Sequence, residues 1–336
     1  MRFLLPLLFA LSAVLPASAQ EFTLPIDDVV LEEDAELPPI PAGWETVRGP
    51  FVVFHGASED LDVLLRLSRH AEQVLPQLSR DLKVPLGGTT HVYLADSDTR
   101  FRALQPGRAP TWAEGVAYPS LGLVLLRSPS IRHGQSEPLE QVLRHELVHV
   151  LLGRAFAPNQ PPTWLQEGLA QVWAGEVGPE TTRTLSQGVA SGSLLSLAGL
   201  SRGFPADPIR ARVAYAQSAD LIGWLRDEYG EAAVGELIRQ LANGAEIEGA
   251  IHSATGDFID DIDRRWRNRL ESSGLSLGVL ANTDLLMGLG GVLLVVGGVA
   301  RRRRFHQRLA EMEAEEAALD DLIAQYLQNR RDFGVR

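Results

Sequence analysis

The pattern of apolar and polar positions changes several times along the chain. The opening stretch, MRFLLPLLFALSAVLPASAQ, sets Arg2 ahead of an apolar run that closes on Ala17-Ser18-Ala19, the small-x-small pattern of a cleavage site. It predicts an export signal over residues 1–19; Pro6, Pro16 and the short run weigh against an uncleaved anchor. Residues 20–49 are rich in Pro, Asp and Glu and keep no period for long, which predicts a flexible acidic arm, with an inhibitory pro-segment as the second reading. From Phe51, FVVFH reads as a strand, and Leu61, Leu64, Leu65 and Leu67 then recur at helical spacing with Pro76 as an expected kink. TTHVYLAD alternates as the next strand, a short helix fits Thr99 to Leu104, and WAEGVAYP and LGLVLLRS flank Pro119-Ser120 as a hairpin.

Beyond Ser136 the period is helical. Ser136 is the expected N-cap of a helix running through Phe156 until Pro158, with Glu137, Pro138 and Glu140 in its first turn. Thr163 is the expected cap of a second, Trp164 to Ala174, and Asp207 of a third that has Pro208 first and Tyr229 near its end. Further helices fit Glu231 to Ala242 and Asp257 to Ser272. The expected architecture is α+β over residues 50–273, a small N-terminal mixed sheet followed by a helical part.

Leu285 to Ala300 carries no charge, and its 16 residues fall short of the roughly 20 that a spanning helix needs. Leu275 to Ala281 can lengthen it, with Asn282, Thr283 and Asp284 between. Arg301 to Arg304 follow at once, and such residues stay cytoplasmic. We therefore expect a transmembrane helix over 278–300, the main domain on the periplasmic or extracellular side of a bacterial-type envelope, and a cytoplasmic tail over 301–336. A buried glycine-rich core helix is the competing reading, and four consecutive arginines argue against it. In the tail, Leu309, Met312, Leu319, Leu322, Ile323 and Tyr326 fall near one helical face, fitting either a solvated surface helix or one that binds a protein partner.

Composition narrows the chemistry. The chain has 336 residues, 45% of them apolar, and no cysteine, which excludes disulfides, a thiol nucleophile and thiolate ligands. Any metal must be held by His, Asp or Glu. Net charge is −12; setting aside Arg2 and the stretch from Leu285, where 8 Arg meet 7 acids, leaves −14 on the exported part, which argues against nucleic-acid binding.

Within the first long helix stands His145-Glu146-Leu147-Val148-His149, H-E-x-x-H. Residues four apart share a helical face, so the two imidazoles converge on one point. Glu146 lies about 100° further round, where its carboxylate reaches a water on the metal rather than the metal itself. Zinc brings that water's pKa near 7, and Glu146 accepts the proton. A catalytic zinc needs a third protein ligand. Pro158 ends the helix, APNQPP turns the chain, and Glu167 returns after 17 intervening residues among Trp164, Leu165, Leu169 and Val172, with Gly168 allowing close approach. Glu176, between glycines at the end of the second helix, is the rival ligand. A helical hairpin that holds no metal is the bland alternative; two His and two Glu are costly to bury unpaired.

LRHELVHVLL, followed by PPTWLQEGLAQVW and VAYAQSADLIGWLRDEYGEAAVGELIRQL, resembles the gluzincins of the peptidase MA group, zinc metallopeptidases related to thermolysin and the aminopeptidases. The resemblance covers about Phe51 to Leu241. It implies a zincin-like, thermolysin-like catalytic domain holding one zinc ion on His145, His149 and Glu167, with Glu146 as general base and a peptide or protein substrate. It also implies an edge strand within Ala113 to Leu126 that aligns the substrate backbone. Two features depart from the family. Gln171 stands one turn after Glu167, where thermolysin-like enzymes place an Asp that orients a zinc histidine, and the His149–Glu167 interval is one residue shorter than in the aminopeptidase branch. With no aminopeptidase-type exopeptidase signature, an endopeptidase or a specialised processing role is preferred. Tyr215 is the candidate donor to the oxyanion, with ordinary packing as its other reading; His252 and His133 are weaker candidates. His55, His70 and His91 read as structural or surface residues, and Trp164, Trp173 and Trp224 as core aromatics. The expected protein is a membrane-anchored zinc metallopeptidase. Its rival is a catalytically weak or inactive zincin-fold scaffold or binding protein of the cell envelope, which Gln171 favours and the intact Glu146 counts against.

Overall fold

The computed structural model describes residues 30–31, 34–109, 113–132, 138–205, 207–281 and 301–302. In chain order they form β1 (Val30–Leu31), β2 (Trp44–Arg48), β3 (Val52–Ala57), α1 (Leu61–Leu82), β4 (Thr90–Ala95), α2 (Asp98–Ala103), β5 (Gly107–Arg108), β6 (Gly115–Tyr118), β7 (Leu123–Arg127), α3 (Leu139–Phe156), α4 (Thr163–Ala174), α5 (Pro179–Ser191), α6 (Leu197–Ser201), α7 (Pro208–Tyr229), α8 (Glu231–Ala242), α9 (Ile247–Thr255) and α10 (Ile259–Ala281). The chain divides into two compact units at Gly274, and the architecture here is that of the first.

Its sheet is mixed, in the order β2-β3-β4-β7-β6, with β3, β4 and β7 parallel and the outer strands β2 and β6 antiparallel to their neighbours. Alternation along the strands separates two apolar faces. Val52, Phe54, Val92, Leu94, Ala117, Val124 and Leu126 face the large core shared with α1, α3 and the later helices, while Tyr93, Val116, Tyr118, Leu123 and Leu125 line a smaller core on the opposite face. Beyond the sheet the domain is helical, the α+β order read from the sequence.

The helical part is held by close backbone approach. A Cβ on Gly168 of α4 would lie 2.4 Å from the Ser218 carbonyl oxygen of α7, and one on Gly153 of α3 would lie 2.4 Å from Pro119 Cβ. Glycine at these points lets α4 seat on α7 and α3 seat on the turn between β6 and β7. Asp207 caps α7 by accepting from the Arg210 N–H at 2.9 Å, with Pro208 first in the helix.

Several expectations change. Trp44–Arg48, read as the end of the acidic arm, is a strand paired with β3, and Tyr93 donates to the Pro38 carbonyl at 2.7 Å. Five residues give too little alternation to stand out beside prolines and acids; pairing completes them. Pro162, not Thr163, takes the N-cap position of α4, and Pro138 that of α3; Ser136 lies outside the described residues. α10 starts at Ile259, two residues after the expected Asp257, and runs to Ala281. Among the described residues no helix is long and apolar enough to cross a membrane; the span expected over 278–300 lies, from 282 on, outside them, as does the signal over 1–19. The tail face of Leu309 to Tyr326 is likewise outside.

Candidate active site

The site forms where α3 crosses α4. His145 and His149, one turn apart on α3, set their rings edge to face with centroids 4.8 Å apart and their Nε2 atoms 3.0 Å apart. From α4, Glu167 brings one oxygen to 3.6 Å from His145 Nε2 and the other to 3.6 Å from His149 Nε2. The three side chains thus offer one donor atom each within a small triangle, a group that could hold a metal ion. In a tetrahedral zinc site with bonds of about 2.0–2.1 Å, donors stand about 3.3 Å apart, so two imidazole nitrogens and a carboxylate with these separations fit that ion.

Electrostatics agree with the geometry. Burial opposes a proton on His145, yet Glu167 and Glu176 outweigh it and hold the imidazole well above its ordinary value. Burial likewise favours a neutral Glu167, but His149 and His145 hold its carboxyl well below the usual range. Both shifts express the mutual attraction of the imidazoles and carboxylates gathered between α3 and α4.

Glu146 packs against the start of β6 and is 7% exposed. Burial pushes its carboxyl above the ordinary value, against the pull of His145 and His149. Its neighbour is Gly115 at the start of β6: a Cβ there would lie 2.7 Å from Glu146 Oε1 and 2.9 Å from a Val142 methyl. β6 is one of the two edge strands of the sheet, so the edge strand expected within Ala113 to Leu126 is Gly115–Tyr118. Arg127 steadies the approach to it, donating from Nε to the Ala113 carbonyl at 2.9 Å.

The remaining candidates separate. Tyr215 lies on α7, its ring edge-on to Phe204 at 4.9 Å and its carbonyl accepting from Gln171 Nε2 at 3.1 Å. Gln171 also donates to the Glu167 carbonyl at 3.3 Å, so it ties α4 to α7 and does not take the place of an orienting Asp. That contact belongs to Glu176, read from sequence only as a rival ligand: its oxygens lie 3.0 and 3.1 Å from His145 Nδ1. Gly175, in a left-handed conformation at the end of α4, was the available signal, because a glycine cap turns the next residue back toward the preceding helix. His252 stacks on Phe258 at 4.7 Å, and His133 lies outside the described residues. His55 and His91 stack on the far side of the sheet, joined by a 3.2 Å contact between ring nitrogens.

A mixed sheet whose edge strand flanks a helix bearing two histidines and an acid, with a second acid delivered by the next helix, is the arrangement of a metal-dependent hydrolase. Residues 70–272 match the Peptidase MA superfamily, and the chain belongs to that family. Among solved structures it is similar to yeast LTA4 hydrolase, at 14% identity and a TM-score of 0.42 over 66% of this chain and 38% of that one. It is also similar to the M1 zinc metallopeptidase from Deinococcus radiodurans, at 19% identity and a TM-score of 0.38 over 66% of this chain and 49% of that one. The chain therefore spans less than half the length of each of these two. No curated protein is similar enough in sequence to count as a relative.

Proposed function

We propose that this protein is a zinc metallopeptidase that cleaves internal peptide bonds, holds one zinc ion per chain, and is tethered to a membrane with its catalytic unit on the periplasmic or extracellular side. The observation that carries the reading is the convergence of His145 Nε2, His149 Nε2 and the Glu167 carboxylate on one point, with Glu146 beside it against the edge strand.

A zinc ion held there supplies a Lewis acid and makes a water acidic near pH 7. His145, His149 and Glu167 would hold it. The Glu146 carboxylate takes a proton from the water whose oxygen bonds to the peptide carbonyl carbon, and delivers it to the amide nitrogen as the C–N bond breaks. Its raised proton affinity suits both halves of that transfer. β6 aligns the substrate backbone through its outer edge, and Tyr215 donates to the oxyanion from α7. Support for interior cleavage comes from the sequence, which carries no exopeptidase signature. Support for the tether is the uncharged run Leu285 to Ala300 followed by Arg301 to Arg304.

The test is hydrolysis of internally quenched, end-blocked peptides by the full chain and by Glu146→Gln. Cleavage inside the peptide, reduced about 10²- to 10⁴-fold in the variant while zinc is retained, is the expected result. A cellular role untouched by Glu146→Gln, with no cleavage by either protein, returns the chain to the scaffold reading.

A further inference from the structure

On the metallopeptidase reading, we propose that Glu176 is the positioning residue of the metal site: it accepts the Nδ1–H of His145 and so fixes the imidazole with its Nε2 lone pair aimed at the point shared with His149 and Glu167. A neutral imidazole carries its proton on one nitrogen and its lone pair on the other, so an acceptor placed on Nδ1 decides which face binds the ion. Glu176 meets that nitrogen with both oxygens, at 3.0 and 3.1 Å, a nearly symmetric approach. Its side chain is 19% exposed, close to the 16% of His145, so the contact is shielded from solvent.

The backbone at Glu176 is held for this task. Gly175 donates to the Val172 carbonyl at 3.2 Å and Glu176 to the Gln171 carbonyl at 2.9 Å, the paired bonds of a Schellman end. Two further residues of α3 reach the same turn: Gln141 donates from Nε2 to the Gly175 carbonyl at 2.9 Å, and Arg144 donates from Nε to the Trp173 carbonyl. Gln141, Arg144 and His145 stand three and four apart on α3, so one helical face grips the end of α4 and delivers its acid to the ligand histidine. A neutral Gln171, occupied with the carbonyls of Glu167 and Tyr215, is thereby freed from the orienting role. Glu176 also adds a second negative charge near the ion, which strengthens an imidazole's hold on it.

The test uses the full chain and its Glu176→Gln and Gln171→Ala variants. Zinc affinity is measured by competition with a chromogenic chelator, and the His145 Nδ1–H resonance is followed by NMR in the zinc-loaded proteins. Glu176→Gln is expected to weaken zinc binding about 10- to 100-fold and to move that resonance upfield, while Gln171→Ala changes affinity less than about threefold. Should Glu176→Gln fail to fold, Glu176→Asp, whose carboxylate is drawn back by one methylene, is expected to show weakened binding in the same direction. Wild-type zinc binding that is matched by whichever Glu176 variant folds, with the resonance unmoved, overturns the proposal and leaves the metallopeptidase reading standing. An unmutated chain that takes up no zinc removes that reading itself, and the proposal with it.

Discussion

Gly115 and Glu146 are packed against each other so closely that a side chain at 115 would have to occupy the place of the carboxylate: an added Cβ would stand 2.7 Å from Glu146 Oε1. On the proposed function, the contact joins the strand that would align substrate to the carboxylate that would move the proton. Gly115→Ala is expected to displace Glu146, lowering kcat/KM about tenfold or more, since small misplacements of a catalytic group are costly. Zinc content is expected to stay unchanged. Steady-state kinetics with metal analysis check this; unaltered turnover would show that the carboxylate tolerates the shift.

Gly168 makes the corresponding contact behind the site. A Cβ there would meet the backbone carbonyl of Ser218 at 2.4 Å and an Ile222 carbon at 2.7 Å, and backbone on both helices leaves little to give. Gly168→Ala is expected to destabilise the fold by about 1–3 kcal/mol, the usual cost of overpacking. Because Gly168 adjoins Glu167, zinc affinity should fall with it. Chemical denaturation of the two proteins decides; equal midpoints would mean that α4 and α7 separate freely.

The fold was legible where local chemistry is strong. Asp207 with Pro208 marks the start of α7, and the apolar runs around Pro119 mark β6 and β7. What stayed hidden depends on partners far along the chain. β2 becomes a strand through pairing with β3, and α5, with Thr, Ser and Gly through its length, becomes a helix by packing on α7. At the site, His145, Glu146 and His149 follow from helical spacing, and Glu167 from the turn after Pro158 and the apolar helix that carries it. For Glu176 the glycine before it marks only the end of α4; its place against His145 Nδ1 depends on Gln141 and Arg144 holding that end.

Acid is expected to act through the far side of the sheet. Burial, with His91 and Arg48 adding to it, lowers the pKa of His55 from 6.5 to about 4. A group whose folded pKa lies below its unfolded one binds more protons when unfolded, so its contribution is present above pH 6.5 and is lost as pH falls toward 4. Between pH 7 and 5 the loss amounts to about 2 kcal/mol. Urea midpoints at the two pH values should therefore fall more steeply in the wild type than in His55→Gln. Parallel slopes would mean that His55 titrates normally.

His145, His149 and Glu167 form the triangle on which a zinc ion would sit. The most direct measurement is the metal content of the purified full chain beside His149→Ala and Glu167→Ala. About one zinc per chain is expected in the wild type and loss of it in both variants, because a catalytic zinc site has three protein ligands. A folded wild-type chain that holds no zinc would contradict it.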